Sequence, residues 1–412
     1  MKKLLIVLLA ASMLLLPACA TAPTEEAPAT TAPEQPAATA APEQPAGKQT
    51  IAVSLPALDN PLMLAFQGAF TETFGADYDV QVASADGNAN TQATQIENFT
   101  AMNTKFMFVM AVEASSLIPK LKAAREAGVV IMVAGGDPGD PDAYDTVMMM
   151  NQYFSGAYAA LMAKQWVDAN YPDAEPGSLE TAILVSTLNP EAVARSAGLK
   201  LIAEPYLKDA TGAFIDATGT AISDAAGTYL AGKSDADRVA NPAYSPTVNV
   251  VPVVEAEMFQ AGQTAMQNIL TTNPNVKLVI AYAGDGGMGA SQAIVDEFAK
   301  GPGISVIDDL SKVAVFGVGM LGAEGPAVAD SSLGKGVFRG TVRFGGDLIG
   351  RTMQYAKIIV DGGEYPKIIW DALDMVTAKD GKLYGVAIPD GIVVLTVPTA
   401  EPVEILLGPP PG

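Results

Sequence analysis

Short, largely apolar runs alternate with helical patterns along most of this chain, and that rhythm restricts its fold more than any other property of the sequence. Residues 51–55, 78–82, 106–110 and 129–133 read as strands, being brief and rich in β-branched, methionine or aromatic residues. Helical patterns at 61–74, 92–102 and 118–127 lie between or before them. Strands that are apolar on both faces and joined by helices call for a parallel sheet covered on both sides. The same order begins again after Asn151, with strands expected at 182–185, 248–253, 278–282 and 313–317 and helices at 155–169, 192–202, 257–270 and 291–299. The fold class is therefore α/β, two doubly wound, Rossmann-like lobes. A helix at 348–360 and a further step at 368–376 would return the chain to the first lobe. The connection at 204–248 is long enough to need short elements of its own. Near the end, 392–395 could add a strand.

Composition matters once chemistry is asked for. The 412 residues contain no histidine and one cysteine, Cys19. A Ser-His-Asp triad, a Cys-His pair and a zinc site built on imidazole or thiolate are thereby excluded. Acid–base work would fall to carboxylates, Lys or Tyr, yet no carboxylate pair is set apart by its surroundings. No catalytic step, metal or cofactor is expected. The formal charge of −21 argues against nucleic acid as a partner, because phosphate binding needs a positive footprint.

At the start, Met1-Lys2-Lys3, an uncharged run at 4–16 and Leu16-Pro17-Ala18 precede that single cysteine. A charged head, a short apolar middle and a small-residue exit make a secretory signal, and the run is too short to span a bilayer. The arrangement resembles the lipobox of bacterial lipoproteins, which implies that Cys19 carries the lipid and that the protein is held to a membrane on its extracytoplasmic side. Residues 20–47 are Ala, Thr, Pro, Glu and Gln, with Ala-Pro-Glu-Gln-Pro-Ala starting at Ala32 and again at Ala41. Such a segment cannot build a core; fully extended it would reach roughly 85 Å, and as a coil roughly 30 Å. The expected organisation is a signal at 1–19, a tether at 20–47, a first lobe at 48–151 plus about 344–375, and a second lobe at 152–343 plus about 376–405.

Several strings carry a further resemblance. They are Ile51-Ala52-Val53 through Asp59-Asn60-Pro61, Gln92-Ala93-Thr94-Gln95-Ile96-Glu97-Asn98, Leu121-Lys122-Ala123-Ala124-Arg125-Glu126-Ala127-Gly128, and Ala265-Met266-Gln267-Asn268-Ile269-Leu270 followed by Asn273-Pro274. With Arg195, Gly198 and Gly340-Thr341-Val342 before Gly350, they resemble the type I periplasmic binding proteins over about residues 48–376, specifically the sugar-binding branch that serves ABC importers. The resemblance implies a monomeric receptor that closes on a small polar solute, with an ABC permease as partner. It also implies three crossings between lobes, near Met150-Asn151, Val342-Arg343 and Met375-Val376.

The family's sugar-contacting positions carry over only at Asn60 and Arg195. Leu62 and Met63 stand where aromatics are usual, Gly135-Gly136 with Asp137 replaces an Asp-Arg pair, and Met110 replaces a polar residue. Gly284-Asp285 replaces Asn-Asp, Gly319 an aspartate and Phe344 a glutamine. The candidate ligand-binding set is Asp59, Asn60, Met63, Met110, Asp137, Asn151, Arg195, Tyr282, Asp285, Arg343 and Phe344, with Glu113, Gln152 and Trp370 nearby. Plainer roles compete with several of these. Asp59 can cap the helix opening at Pro61, Asp137 sits in a Gly-Asp-Pro-Gly turn, and Arg195 can pair with Glu191 at helical spacing. A nucleoside or signal receptor on the same fold is an alternative. A dinucleotide-binding oxidoreductase is a more distant one, raised by the Gly-x-Gly-x-x-Gly strings at 284–289 and 317–322.

Overall fold

A computed structural model describes residues 47–59, 61–102, 104–344, 346–389 and 391–406. The expected signal, Cys19, nearly all of the tether and Asn60 lie outside the described residues. The chain runs through β1 Thr50–Leu55, α1 Pro61–Phe74, β2 Asp79–Ser84, α2 Ala89–Ala101, β3 Thr104–Met110, α3 Ile118–Glu126, β4 Val130–Ala134 and β5 Thr146–Met149. It continues through α4 Gln152–Asn170, β6 Leu179–Val185, α5 Pro190–Lys200, β7 Val248–Glu255, α6 Phe259–Thr272, β8 Leu278–Ala281, α7 Gly284–Phe298, β9 Ala314–Gly319, α8 Glu324–Ser332 and β10 Phe338–Phe344. The last elements are α9 Leu348–Val360, β11 Ile368–Trp370, β12 Leu373–Lys379, β13 Lys382–Ala387 and β14 Val403–Ile405.

The first sheet has the order β11-β5-β4-β3-β1-β2 and is parallel throughout. Its inner strands β1, β3 and β4 are largely apolar on both faces for a reason visible in the packing. Ile51 and Val53 face Phe66 and Phe70 of α1 and Ala356 and Ile359 of α9, whereas Ala52 faces the opposite way, toward Ile96 of α2 and Leu121 of α3. Successive side chains alternate between the two helical layers. The second sheet has the order β14-β13-β12-β10-β9-β8-β6-β7. From β7 to β10 it is parallel, while β12, β13 and β14 are added antiparallel. One face is covered by α4 and α5, the other by α6, α7 and α8.

Several expectations are corrected. The chain leaves the first sheet after Trp370 and not at Met375-Val376, because all of β12 pairs with β10 in the second sheet. The preceding crossing follows Phe344 instead of Val342-Arg343, since β10 keeps its ladder through Phe344. Residues 392–395 form no strand. The free edge of β12 is taken by β13, and Leu395 is buried in the second lobe's core from an irregular segment. The helix expected from 291 begins at Gly284.

The long connection contains a three-turn repeat. Asp209-Ala210-Thr211-Gly212, Asp216-Ala217-Thr218-Gly219 and Asp224-Ala225-Ala226-Gly227 each place glycine at positive φ, +91°, +76° and +87° respectively. The Asp209 carboxylate accepts from the N–H groups of Thr211 and Ala213, Asp216 from those of Thr218 and Thr220, and Asp224 from that of Thr228. Ile215 and Ile222 are buried beneath these turns, and Arg238 lies against the rings of Tyr206, Phe214 and Tyr229.

Candidate functional site

In parallel α/β sheets the carboxyl ends of the strands are where loops and helix N-termini converge. Here the ends of both sheets border one cavity of about 410 Å³. From the first lobe come Met110 at the end of β3, Gly135 and Gly136 after β4, Met149 at the end of β5 and Met150 just after it, and Leu62 and Leu348 from the first turns of α1 and α9. From the second come Gln152 at the start of α4, Asn189 and Glu191 at the start of α5, Tyr282 after β8, Met320 after β9 and Phe344 at the end of β10. Asp371, in the crossing between β11 and β12, completes the wall.

Arg195 stands directly behind that wall. It is 6% exposed. Its Nε and Nη2 donate to Gln152 Oε1 at 2.9 and 2.6 Å, and its Nη1 donates to the Tyr282 carbonyl at 3.0 Å. The guanidinium lies 4.5 Å from the centre of the Tyr282 ring and 5.8 Å from that of Phe344. Burial lowers its pKa from the ordinary arginine value. Its side-chain partner is Gln152 instead of Glu191, which is exposed. Arg195 thus ties the first residue of α4 to the end of β8 and sets the positions of two lining residues.

Asp371 has the least compensated carboxylate near the cavity. Its backbone N–H donates to the Met149 carbonyl at 2.9 Å, continuing the pairing of β11 with β5. Its Oδ1 is buried and has no hydrogen-bond partner among the described residues. Burial pushes its pKa up to about 6, against the opposing charge of Arg351 on α9.

Three of the expected site residues, Met110, Tyr282 and Phe344, line the cavity. The other described ones are placed elsewhere. Met63 is buried in the first lobe's core with Phe66. Asn151 caps α4, its side chain accepting from the Phe154 N–H at 3.0 Å, and with Trp370 and Asp371 it borders a separate niche of about 20 Å³. Asp137 accepts from the Gly139 N–H at 2.8 Å and the Tyr144 hydroxyl at 3.1 Å, the local turn chemistry that its Gly-Asp-Pro-Gly setting suggests. Arg343 pairs across the strands with Asp374, its Nε at 2.8 Å. Asp59 borders a different depression beside Ser84 and Asp86, and Asp285 is exposed in the first turn of α7. Asn189 and Asp371 were not anticipated. The Asn-Pro-Glu order at 189–191 is a legible helix start, and Asn189 does cap α5, accepting from the Ala192 N–H at 2.7 Å.

The glycine strings serve packing. A Cβ on Gly286 would come within 2.6 Å of the Ala256 carbonyl oxygen, and one on Gly287 within 2.7 Å of the Phe338 ring. On Gly262 of α6 it would overlap the Gly286 carbonyl, and on Gly289 the Phe259 carbonyl. These residues let α6 and α7 approach through their backbones. Gly284 and Gly319, one from each string, both abut the Glu324 carboxylate, an acid that would repel a pyrophosphate there. Among the described residues no group of three or more Asp, Glu, His or Cys is placed to hold a metal, and no helix is long and apolar enough to cross a membrane.

Residues 51–334 match the family model of the periplasmic binding protein domain. The structure is similar to that of a protein from Mycobacterium smegmatis, with 19% identity, a TM-score of 0.56 and coverage of 80% of this chain and 91% of that one. It is also similar to a periplasmic ribose ABC transporter protein from Conexibacter woesei, with 15% identity, a TM-score of 0.55 and coverage of 80% and 92%. A third similar structure is an ABC transporter solute binding protein from Bacillus halodurans with bound myo-inositol, at 19% identity, a TM-score of 0.50 and coverage of 80% and 95%. At these identities the likeness is one of fold, that of the type I periplasmic binding proteins. No curated protein sequence matches the chain significantly.

Proposed function

Because this chain belongs to the periplasmic binding protein family, whose members bind solutes and are not enzymes, we propose that it is the extracytoplasmic solute receptor of an ABC importer. It captures a small solute in the cavity between its lobes and is moored to the membrane through lipid on Cys19. One observation carries the reading: the cavity of about 410 Å³ has walls from the strand ends of both lobes, and its size falls in the range of about 300–1,000 Å³ typical of small-molecule sites.

A solute touching both walls stabilises the closed arrangement by whatever it binds that form better than the open one. The permease then has a shape to distinguish. Sugars and polyols are the first class to test, since two of the similar structures are a ribose transporter protein and a myo-inositol complex. The test is a calorimetric and thermal-shift screen of the purified protein against sugars, polyols, nucleosides and amines. Saturable one-to-one binding that raises the unfolding temperature is the expected result, and its absence across all four classes removes the receptor reading. Cys19→Ser should move the protein from the membrane fraction to the soluble fraction; an unchanged distribution refutes the anchor.

A further inference from the structure

We propose that the cavity selects a compact apolar or aromatic compound bearing a protonated amine, and that Asp371 receives the amine. This rests on the receptor reading and concerns the same cavity. The argument begins with what the wall offers. Met110, Met149, Met150, Met320, Leu348 and Phe344 present hydrocarbon, sulfur and ring surface, which suits an apolar body and offers sugar hydroxyls no partners on that part of the wall. Polarisable sulfur and an aromatic ring also tolerate a nearby cation better than aliphatic groups do.

The charged groups of the wall are of one sign, whereas the Gln152 and Asn189 amides and the Tyr282 hydroxyl are neutral and can donate as well as accept. Asp371 and Glu191 can only accept when ionised. Gln152 Oε1 is already engaged by two N–H groups of Arg195, and Arg195 itself is spent on Gln152 and the Tyr282 carbonyl behind the wall. Among the described residues the lining includes no lysine or arginine. A carboxylate held this way is costly to bury, and a charge-assisted hydrogen bond from an ammonium group offsets that cost in the bound state.

The two acids divide the work by exposure. Glu191 is open to solvent and can attract a cation, a tendency that the chain's net charge of −21 reinforces. Asp371 is part-buried, with one oxygen closed to solvent. Among the described residues, the ionisable groups around it are Arg351 on α9, whose charge favours its ionised form, Glu191 on α5, Tyr282 after β8, and Arg195 behind Gln152. At neutral pH the elevated pKa of about 6 still leaves the group charged.

The experiment is calorimetry on the purified full chain in detergent with phenethylamine and tryptamine, their neutral counterparts 2-phenylethanol and tryptophol, and D-ribose and myo-inositol. At pH 7.5 each amine should bind at least about tenfold tighter than its alcohol. Asp371→Asn should erase that preference while leaving alcohol affinity within about twofold. From pH 7.5 to 5 the wild-type amine affinity should drop about tenfold as the carboxylate is protonated, and the variant's should stay level. Should the variant fail to fold, the wild-type pH profile and amine-to-alcohol ratio decide alone. Amines binding no tighter than alcohols overturn the proposal. If D-ribose or myo-inositol binds in that case, the receptor reading survives; if none of the six compounds binds, it gains no support and the broader solute screen decides it.

Discussion

Asp371 couples site chemistry to stability through a single buried oxygen. Its folded-state pKa of about 6 lies above the unfolded value near 3.9, so between those limits the folded state binds more protons than the unfolded one. Stability of the unliganded protein must therefore fall as pH rises from about 4 to 6, by ~2 kcal/mol from this group. Asp371→Asn removes the penalty. Urea unfolding should find the variant more stable by about 1–3 kcal/mol at pH 7 and no more stable than wild type at pH 3.5; equal stabilities at pH 7 would show that the carboxylate is better compensated than its geometry indicates. Arg195 works in the opposite sense. Arg195→Ala leaves Gln152 Oε1 and the Tyr282 carbonyl without their donors and should lower stability by about 2–4 kcal/mol while weakening solute affinity, both readable in one ligand-dependent melting series. The sequence singled out Arg195 by resemblance but not its task of bracing the wall. Asp371 was illegible because nothing in Trp370-Asp371-Ala372 distinguishes it from other acidic dipeptides. Its burial arises only where β11 ends in one sheet and β12 starts in the other.

Among the elements, α6 and α7 show tertiary packing overriding local propensity. A run with glycine at 284, 286, 287 and 289 is intrinsically a poor helix former, which is why the sequence placed the helix start at 291. The structure begins it at Gly284 because the missing side chains admit α6 to backbone contact. Gly262→Ala should accordingly cost about 3 kcal/mol or more, since its methyl would overlap a carbonyl that cannot yield. Gly68→Ala is the control. That glycine is exposed in the middle of α1 with nothing within 4 Å of a new methyl, so the change should stabilise by roughly 0.5–1 kcal/mol. Denaturant unfolding of the two variants settles whether the glycines serve packing. Strands β1, β3 and β4 of the first sheet, in contrast, were legible to within a few residues, because two-sided burial writes itself as unbroken apolar runs. The membership of β12 was not: a strand's own residues do not reveal which remote edge it will join, and here the edge is β10.

For the molecule as a whole, the three crossings set what motion is available. They follow β5 at Met150-Asn151, β10 after Phe344, and β11 at Asp371-Ala372. Each crossing lies beside a lining residue: Met150 and Gln152 at the first, Phe344 and Leu348 at the second, and Asp371 at the third. A solute seated in the cavity therefore contacts the segments about which the lobes would turn as well as the lobe faces, and its binding energy can bias the hinge directly. A ligand that binds the folded chain alone stabilises it by about 2.7 kcal/mol at a hundredfold excess over Kd, whether or not the lobes move, so a melting shift cannot establish closure. The radius of gyration can. Small-angle scattering at saturating ligand should show a smaller radius than for the free protein, and the decrease should follow the same binding curve as the calorimetry. A full thermal shift with an unchanged radius would mean that the cavity is a fixed pocket, and the importer would then have no change of shape by which to distinguish loaded from empty receptor.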